Sequence, residues 1–308
     1  MEKRRTIGLG KSTLVISLPS KWVKKTGVKA GNYVNLTEDK RGLLYLSTED
    51  LEAKESEVKI EIPPFFESEG IRKVLQSSYI SGYDKILVVT KESTKISKDV
   101  EEAVKDLIGF EIVNQTHDSF TIKDIGGKSS EDIGNLVRRS FYIVMELSKD
   151  SLDAFKSKNN NTLKDLAKRN YAVEKLCFFS MRQLNKSIYD VAKIPASFAF
   201  ITLTQRLADL YSDVCNQATN FDEEKLRAEV VSLWDHTNCV ICHIFEDYHK
   251  IKFESFLPLF KKRKEIGKIT DKLISKSKDV NSIKLILLFQ QIIEICHELM
   301  FSELIKEA

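Results

Sequence analysis

Long hydrophobic runs are missing from this chain. The longest, such as Leu285-Ile286-Leu287-Leu288-Phe289, are about five residues, whereas a membrane span needs roughly 20. A soluble protein with no direct membrane insertion is therefore expected. Cysteine is sparse and odd in number: Cys177, Cys215, Cys239, Cys242 and Cys296, all inside apolar helical patterns. With no leader-like segment at the start, this predicts reduced thiols in a cytoplasmic protein rather than a disulfide framework. A net excess of either charge is also lacking. The 48 Lys and Arg against 45 Asp and Glu leave only +3, so the whole-chain balance points to no class of partner. Locally it is acid that is absent. Residues 1–30 hold Lys3, Arg4, Arg5, Lys11, Lys21, Lys24, Lys25 and Lys29 against Glu2 alone. Such a cluster attracts polyanions, with an affinity that falls as salt rises.

The 308 residues suffice for two or three domains. Residues 1–50 read as a small β module: strands at Thr6-Ile7-Gly8-Leu9, Ser12 to Leu18, Asn32 to Thr37 and Gly42 to Ser47. After Pro19-Ser20, a short helix runs from Lys21 to Thr26 and is closed by Gly27. Fifty residues bury little surface on their own, so this module is expected to dimerise. Residues 58–125 read as βαβαββ: a strand at Val58 to Ile62, an amphipathic helix at Glu67 to Ile80 and a strand at Lys85 to Thr90. A helix then runs from Ser97, its expected N-cap, to Ile108, and a hairpin joins Phe110–Gln115 and Ser119–Ile125. From residue 129 every apolar stripe steps by three and four, the spacing of bundle helices. Expected starts are Ser129 with Asp132, Thr162, the break at Pro195, Asp222, Pro258 and Asn281-Ser282. Six helices in two sets of three, 129–219 and 222–306, follow. The fold class is thus multidomain and mostly α: a β module, a small α/β domain and a helical region of two three-helix bundles.

Gly8-Leu9-Gly10-Lys11-Ser12-Thr13 ends like a phosphate-binding loop. The full pattern requires glycine where Arg5 stands, and a helix must follow; here Leu14 to Leu18 runs as a strand into Pro19, so a hairpin turn is expected. His236, Cys239 and His243 share a helix face, but a structural zinc site normally draws on a second segment, and packing of small cysteines in the core is the expected role. No nucleophile, base and orienting acid assemble by spacing, so no enzyme is expected.

The run Ser12-Thr13-Leu14-Val15-Ile16-Ser17-Leu18-Pro19-Ser20-Lys21-Trp22-Val23-Lys24-Lys25-Thr26-Gly27-Val28-Lys29-Ala30-Gly31-Asn32-Tyr33-Val34 resembles the AbrB/SpoVT swapped-hairpin family, with Asn32 in place of the usual acid. The resemblance implies an intertwined homodimer that binds double-stranded DNA. Arg4, Arg5, Lys11 and Ser12 would be the first contacts, and Lys21, Lys24 and Lys25 further contacts to phosphate. The helical half resembles the PhoU family. Leu203-Thr204-Gln205-Arg206-Leu207-Ala208-Asp209-Leu210-Tyr211-Ser212-Asp213-Val214-Cys215-Asn216 is similar to that family's acidic helix, Arg169-Asn170-Tyr171-Ala172-Val173-Glu174-Lys175 to its second-helix run, and Arg182-Gln183-Leu184 to the end of that helix. This implies an acidic face that can hold divalent or iron ions, from Glu174, Asp209 and Asp213 and, on the sixth helix, Glu294 and Glu298. Gln205, Gln290, Asn170 and Ala172 stand where acids would be, which weakens that expectation. Together the two resemblances imply a phosphate uptake regulator that binds DNA and reads phosphate status, directly or through a phosphate ABC transporter subunit or sensor. The competing expectations are a PhoU-type adaptor that restrains a transporter without binding DNA, and a metal-binding helical protein.

Overall fold

The computed structural model describes residues 3–38, 42–48, 55–63, 66–91, 93–127, 132–186, 194–247, 254 and 256–307. They form two compact units, 1–55 and 56–308.

In the first unit β1 (Ile7–Leu9) pairs antiparallel with β2 (Thr13–Val15), Ile7 opposite Val15. Gly10 takes φ 74° in the intervening turn, a conformation that side chains with a Cβ resist. The phosphate-loop look-alike is thus a hairpin tip, as its departure from the full pattern implied. Pro19 leads into α1 (Ser20–Thr26), and Gly27 ends it at φ 71°, donating its N–H to the Val23 carbonyl. β3 (Asn35–Glu38) pairs antiparallel with β4 (Leu44–Ser47). The strands are shorter than expected: the alternation through Leu18 is ladder only as far as Val15, and Asn32 to Val34 precede the third strand. Asn32 instead builds a turn, its side-chain oxygen accepting from the Lys29 N–H at 2.8 Å. A neutral acceptor does there what a carboxylate would do. No apolar side chain among the described residues of this unit is buried; Leu14 is 72 % exposed and Tyr33 95 %.

The second unit opens with the βαβαββ order read from the sequence: β5 (Glu57–Glu61), α2 (Ser68–Ile80), β6 (Lys85–Val89), α3 (Ser93–Val104), β7 (Phe110–Gln115) and β8 (Ser119–Asp124). The strands lie in the order β5-β6-β8-β7. β5 runs parallel to β6, and the other pairs are antiparallel. Alternation places Ile86, Val88, Phe120 and Ile122 on one face, where they are buried with Ile71, Leu75 and Tyr79 of α2 and Val100 of α3. Ser97 does not cap α3, which begins four residues earlier. Its hydroxyl donates to Glu101, while the buried Ser93 hydroxyl donates to the His117 carbonyl at 2.6 Å and ties the helix to the β7–β8 turn.

The helices follow as α4 (Ile133–Lys156), α5 (Asn160–Leu166), a 3-10 turn (Ala167–Arg169), α6 (Asn170–Lys186), α7 (Ile194–Ala218), a second 3-10 turn (Glu224–Leu226), α8 (Arg227–Asp247), α9 (Phe256–Lys276) and α10 (Val280–Glu307). Several caps differ from expectation because the residue just upstream offers a better-placed oxygen. Asp132 caps α4 by accepting from the Asn135 N–H, and the expected Ser129 lies outside the described residues. Asn159, not Thr162, caps α5 and accepts from the Thr162 N–H at 3.1 Å. Asp279 rather than Asn281-Ser282 opens α10, taking the Ser282 N–H at 2.7 Å and its hydroxyl at 2.9 Å. Asp222 caps no helix: residues 224–226 form a 3-10 turn instead, and neighbouring Glu223 accepts from the Lys278 N–H at 3.0 Å. The second expected helix is divided by the first 3-10 turn, and Ile188 and Val191 of its stripe, like Tyr248 and Ile251 of the fourth, lie outside the described residues. Pro195 and Pro258 sit in first turns, where a missing N–H costs nothing.

α7 packs on α6 and α10, α4 on α6 and α8, and α9 on α8 and α10. Trp234 is fully buried against Phe155 and Phe289, at 5.2 and 5.1 Å between ring centres. A polar link crosses the same core: Tyr211 donates to Asn238 and Asn238 to the Ser148 carbonyl, both at 2.7 Å. These bonds satisfy the Tyr211 hydroxyl and the Asn238 amide oxygen and tie α4, α7 and α8 together. The Val280–Ser302 stretch of α10 is long and apolar enough, by composition, to cross a membrane. Its Leu285, Ile286, Phe289, Ile292, Ile293 and Leu299 are nonetheless buried in the helical core.

Candidate nucleic-acid interface and acidic helix face

The hairpin and α1 display the basic residues singled out above. Lys11 and Ser12 occupy the turn between β1 and β2 and are exposed. Arg4 and Arg5 lie just before β1; the Arg4 guanidinium donates to the Ser17 hydroxyl at 2.9 Å, a bond that spans the base of the hairpin. Lys21, Lys24 and Lys25 fall at i, i+3 and i+4 on α1, on one side of a helix that has no acid in its first turn. Lys11, Lys21, Lys24 and Lys25 are exposed and form no ion pair among the described residues. Each is therefore a hydrated cation, free to exchange water and counterions for a phosphate.

The acidic residues divide between two places. On α6 and α7, Asp209 lies close enough to influence both Glu174 and Asp213. Burial raises the Glu174 carboxyl above its ordinary value and Asp209 adds to the rise, while Lys73 opposes it. Asp213 is raised likewise, by partial burial first, with Arg206 opposing and Asp209 reinforcing. Asn170 donates its side-chain N–H to Asp209 at 3.2 Å. An amide donor thus already occupies one oxygen of that carboxylate, which leaves it fewer free lone pairs for a cation. On α10, Glu294 is held in a two-pronged pair by Arg263, with Nε to Oε1 at 2.9 Å, and Glu298 and Gln290 are exposed. Among the described residues no three His, Cys, Asp or Glu side chains gather as a metal-holding group. The residues present fit a resident cation poorly. His236, Cys239 and His243 line the exposed side of α8, so Cys239 is a surface thiol rather than the core residue expected; Cys177, Cys215 and Cys296 are buried.

Sequence reasoning treated Arg182 only as part of the close of a helix. It is 1 % exposed and joins the bundle to the α/β layer. Its guanidinium donates to the carbonyls of Tyr79 and Tyr83 at 3.0 and 2.7 Å, and to the carboxylates of Asp84 and Asp124 at 3.1 and 2.9 Å. It also stacks over the Phe110 ring at 4.7 Å. Burial alone would raise the Asp84 carboxyl, but Lys186 and two hydrogen bonds from Ser56 outweigh it and hold it below its ordinary value. The signal in the sequence was an arginine among Met181, Leu184 and Phe178 on an apolar helix face, which only a buried anionic partner accommodates.

No protein-family model, curated protein or solved structure significantly matches this chain.

Proposed function

We propose that the protein is a phosphate-responsive transcriptional regulator. Residues 1–50 bind double-stranded DNA as a homodimer, and the helical region responds to phosphate status or docks a partner that does. The observation that carries this reading is the hairpin unit: exposed Lys11, Lys21, Lys24 and Lys25, with no ion pair among the described residues, on a scaffold that buries none of its described apolar side chains. A module with Ile7, Leu9, Leu14, Ile16, Leu36 and Leu44 all exposed is incomplete as a monomer. A second copy supplies apolar cover and doubles the basic surface in one step. Arg4, Arg5, Lys11 and Ser12 then make the principal contacts, and Lys21, Lys24 and Lys25 bind flanking phosphates. The phosphate part rests on the resemblance of α6 and α7 to the PhoU pattern. The effector is taken to be a partner or a transient ligand, since Arg263 already holds Glu294 of the sixth helix.

Chromatin immunoprecipitation of the tagged chain from phosphate-replete and phosphate-starved cells tests the reading. It predicts occupancy at discrete sites that changes with phosphate. Occupancy that ignores phosphate would remove the sensing half, and no occupancy would remove the regulator.

A further inference from the structure

We infer that the second unit carries a DNA-contacting surface of its own: the lysine row Lys261, Lys264, Lys268 and Lys272 along the exposed side of α9. Residues 1–30 hold a net +7 and α9 a net +5, its seven Lys and Arg standing against Glu265 and Asp271. Since the chain as a whole is +3, the remainder is −9, and these two segments stand out from an acidic background. The steps of three and four residues place the four lysines in one stripe. At 1.5 Å per residue it runs about 16 Å, enough to follow several phosphates along a duplex.

The pairing pattern marks the stripe as unusual. Arg263 and Lys276, to either side of it, are committed to Glu294 and Glu229, the latter at 2.7 Å. Lys261, Lys264 and Lys268 are exposed and have no ion-pair partner among the described residues, and Lys272 stands near a Glu229 already taken by Lys276. Glu265 and Asp271 lie at the stripe's edges. A lipid surface fits less well. A helix seated in a membrane interface must insert an apolar face, whereas Phe256, Leu259, Ile266 and Leu273 are buried in the bundle. Only Leu257 and Phe260, in the first turn and a half, remain exposed on that side. The inference rests on the DNA-binding reading and adds a sequence-independent contact to it.

The test is the salt dependence of duplex-DNA affinity of the full chain. Each lost phosphate contact lowers the slope of log affinity against log salt by about 0.9. Lys261→Gln/Lys264→Gln/Lys268→Gln is expected to lower it by about 3, while arginine at the same three positions preserves it. Lys98→Gln/Lys164→Gln/Lys168→Gln, which removes the same charge from exposed positions elsewhere, leaves it unchanged. A slope unaffected by the α9 glutamines, with Arg4→Glu/Arg5→Glu still abolishing binding, overturns this inference and leaves the hairpin reading intact. A slope lowered equally by the control set reduces the effect to net charge and also overturns it. Binding to phosphatidylserine vesicles that the α9 glutamines abolish, with the DNA slope unmoved, reassigns the stripe to membranes. Failure of the wild-type chain to bind DNA at low salt removes both readings.

Discussion

Arg182→Met keeps the length and apolar stem of the side chain and deletes its charge. Met cannot donate to the Tyr79 and Tyr83 carbonyls or to the two carboxylates that Arg182 holds at 3.1 and 2.9 Å. Asp84 retains Lys186 and Ser56, so its loss is partial. Among the described residues, Asp124 keeps only the Gly126 N–H at 3.1 Å and is left a nearly uncompensated, largely buried anion. Breaking a buried pair by removing one partner costs about 3–5 kcal/mol, a large share of a total stability of roughly 5–15 kcal/mol. Urea unfolding of the full chain should show a loss in that range. Hydrogen exchange should place the new opening at α2, α6, β8 and the turn before β6, because Tyr79, Arg182, Asp124 and Asp84 lie there. Arg182→Met/Asp124→Asn should unfold at a higher urea concentration than Arg182→Met alone, since the second change removes the stranded charge. A loss below about 1 kcal/mol, or a double variant weaker than the single, would refute the view that this ion cluster holds the α/β layer on the bundle.

Trp234→Ala should cost about 3–5 kcal/mol by leaving a cavity between Phe155 and Phe289. Trp234→Phe should cost much less, because the indole N–H has no hydrogen-bond partner among the described residues; thermal unfolding compares the two. Glu174→Gln should raise the melting temperature at neutral pH. The folded carboxyl titrates above its ordinary 4.5, so the stability it lends below that value is lost as pH rises through the folded pKa. The advantage of glutamine should fade as pH falls toward 4.5, and a variant less stable at pH 7 would show that Lys73 outweighs burial. Leu14→Asp should weaken self-association in sedimentation equilibrium without unfolding the second unit, since Leu14 is 72 % exposed in the single chain. An unchanged molecular weight would exclude this face from the dimer.

Much of the fold was legible in the sequence because local rules and tertiary packing agreed there. The βαβαββ order, the hairpin at Phe110–Gln115 and Ser119–Asp124, and Gly27 at φ 71° were each written in residues with a single comfortable conformation. Misreadings arose where several polar residues competed for one role. Asn159 took the cap expected of Thr162 and Asp279 that expected of Ser282, and α3 begins at Ser93, four residues before Ser97, because tertiary contacts rather than the most typical cap decide where a helix starts. The basic hairpin was visible as a charge anomaly. The fate of the acidic face was not, since spacing puts Asp209 and Asp213 on one side of a helix but cannot show that Asn170 or Arg263 reaches across from another. The role of Arg182 was hidden for the same reason: its carboxylate partners Asp84 and Asp124 lie 98 and 58 residues away in sequence.

The central claim is that the hairpin unit holds DNA through its basic residues. Affinity of the full chain for duplex DNA, measured as a function of salt for the wild type and for Arg4→Glu/Arg5→Glu, tests it most directly. The account predicts measurable retention at low salt, a steep fall as salt rises, and near-complete loss in the charge-reversed variant. Equal retention by the two proteins would contradict it and leave the basic module as no more than a dimer clasp.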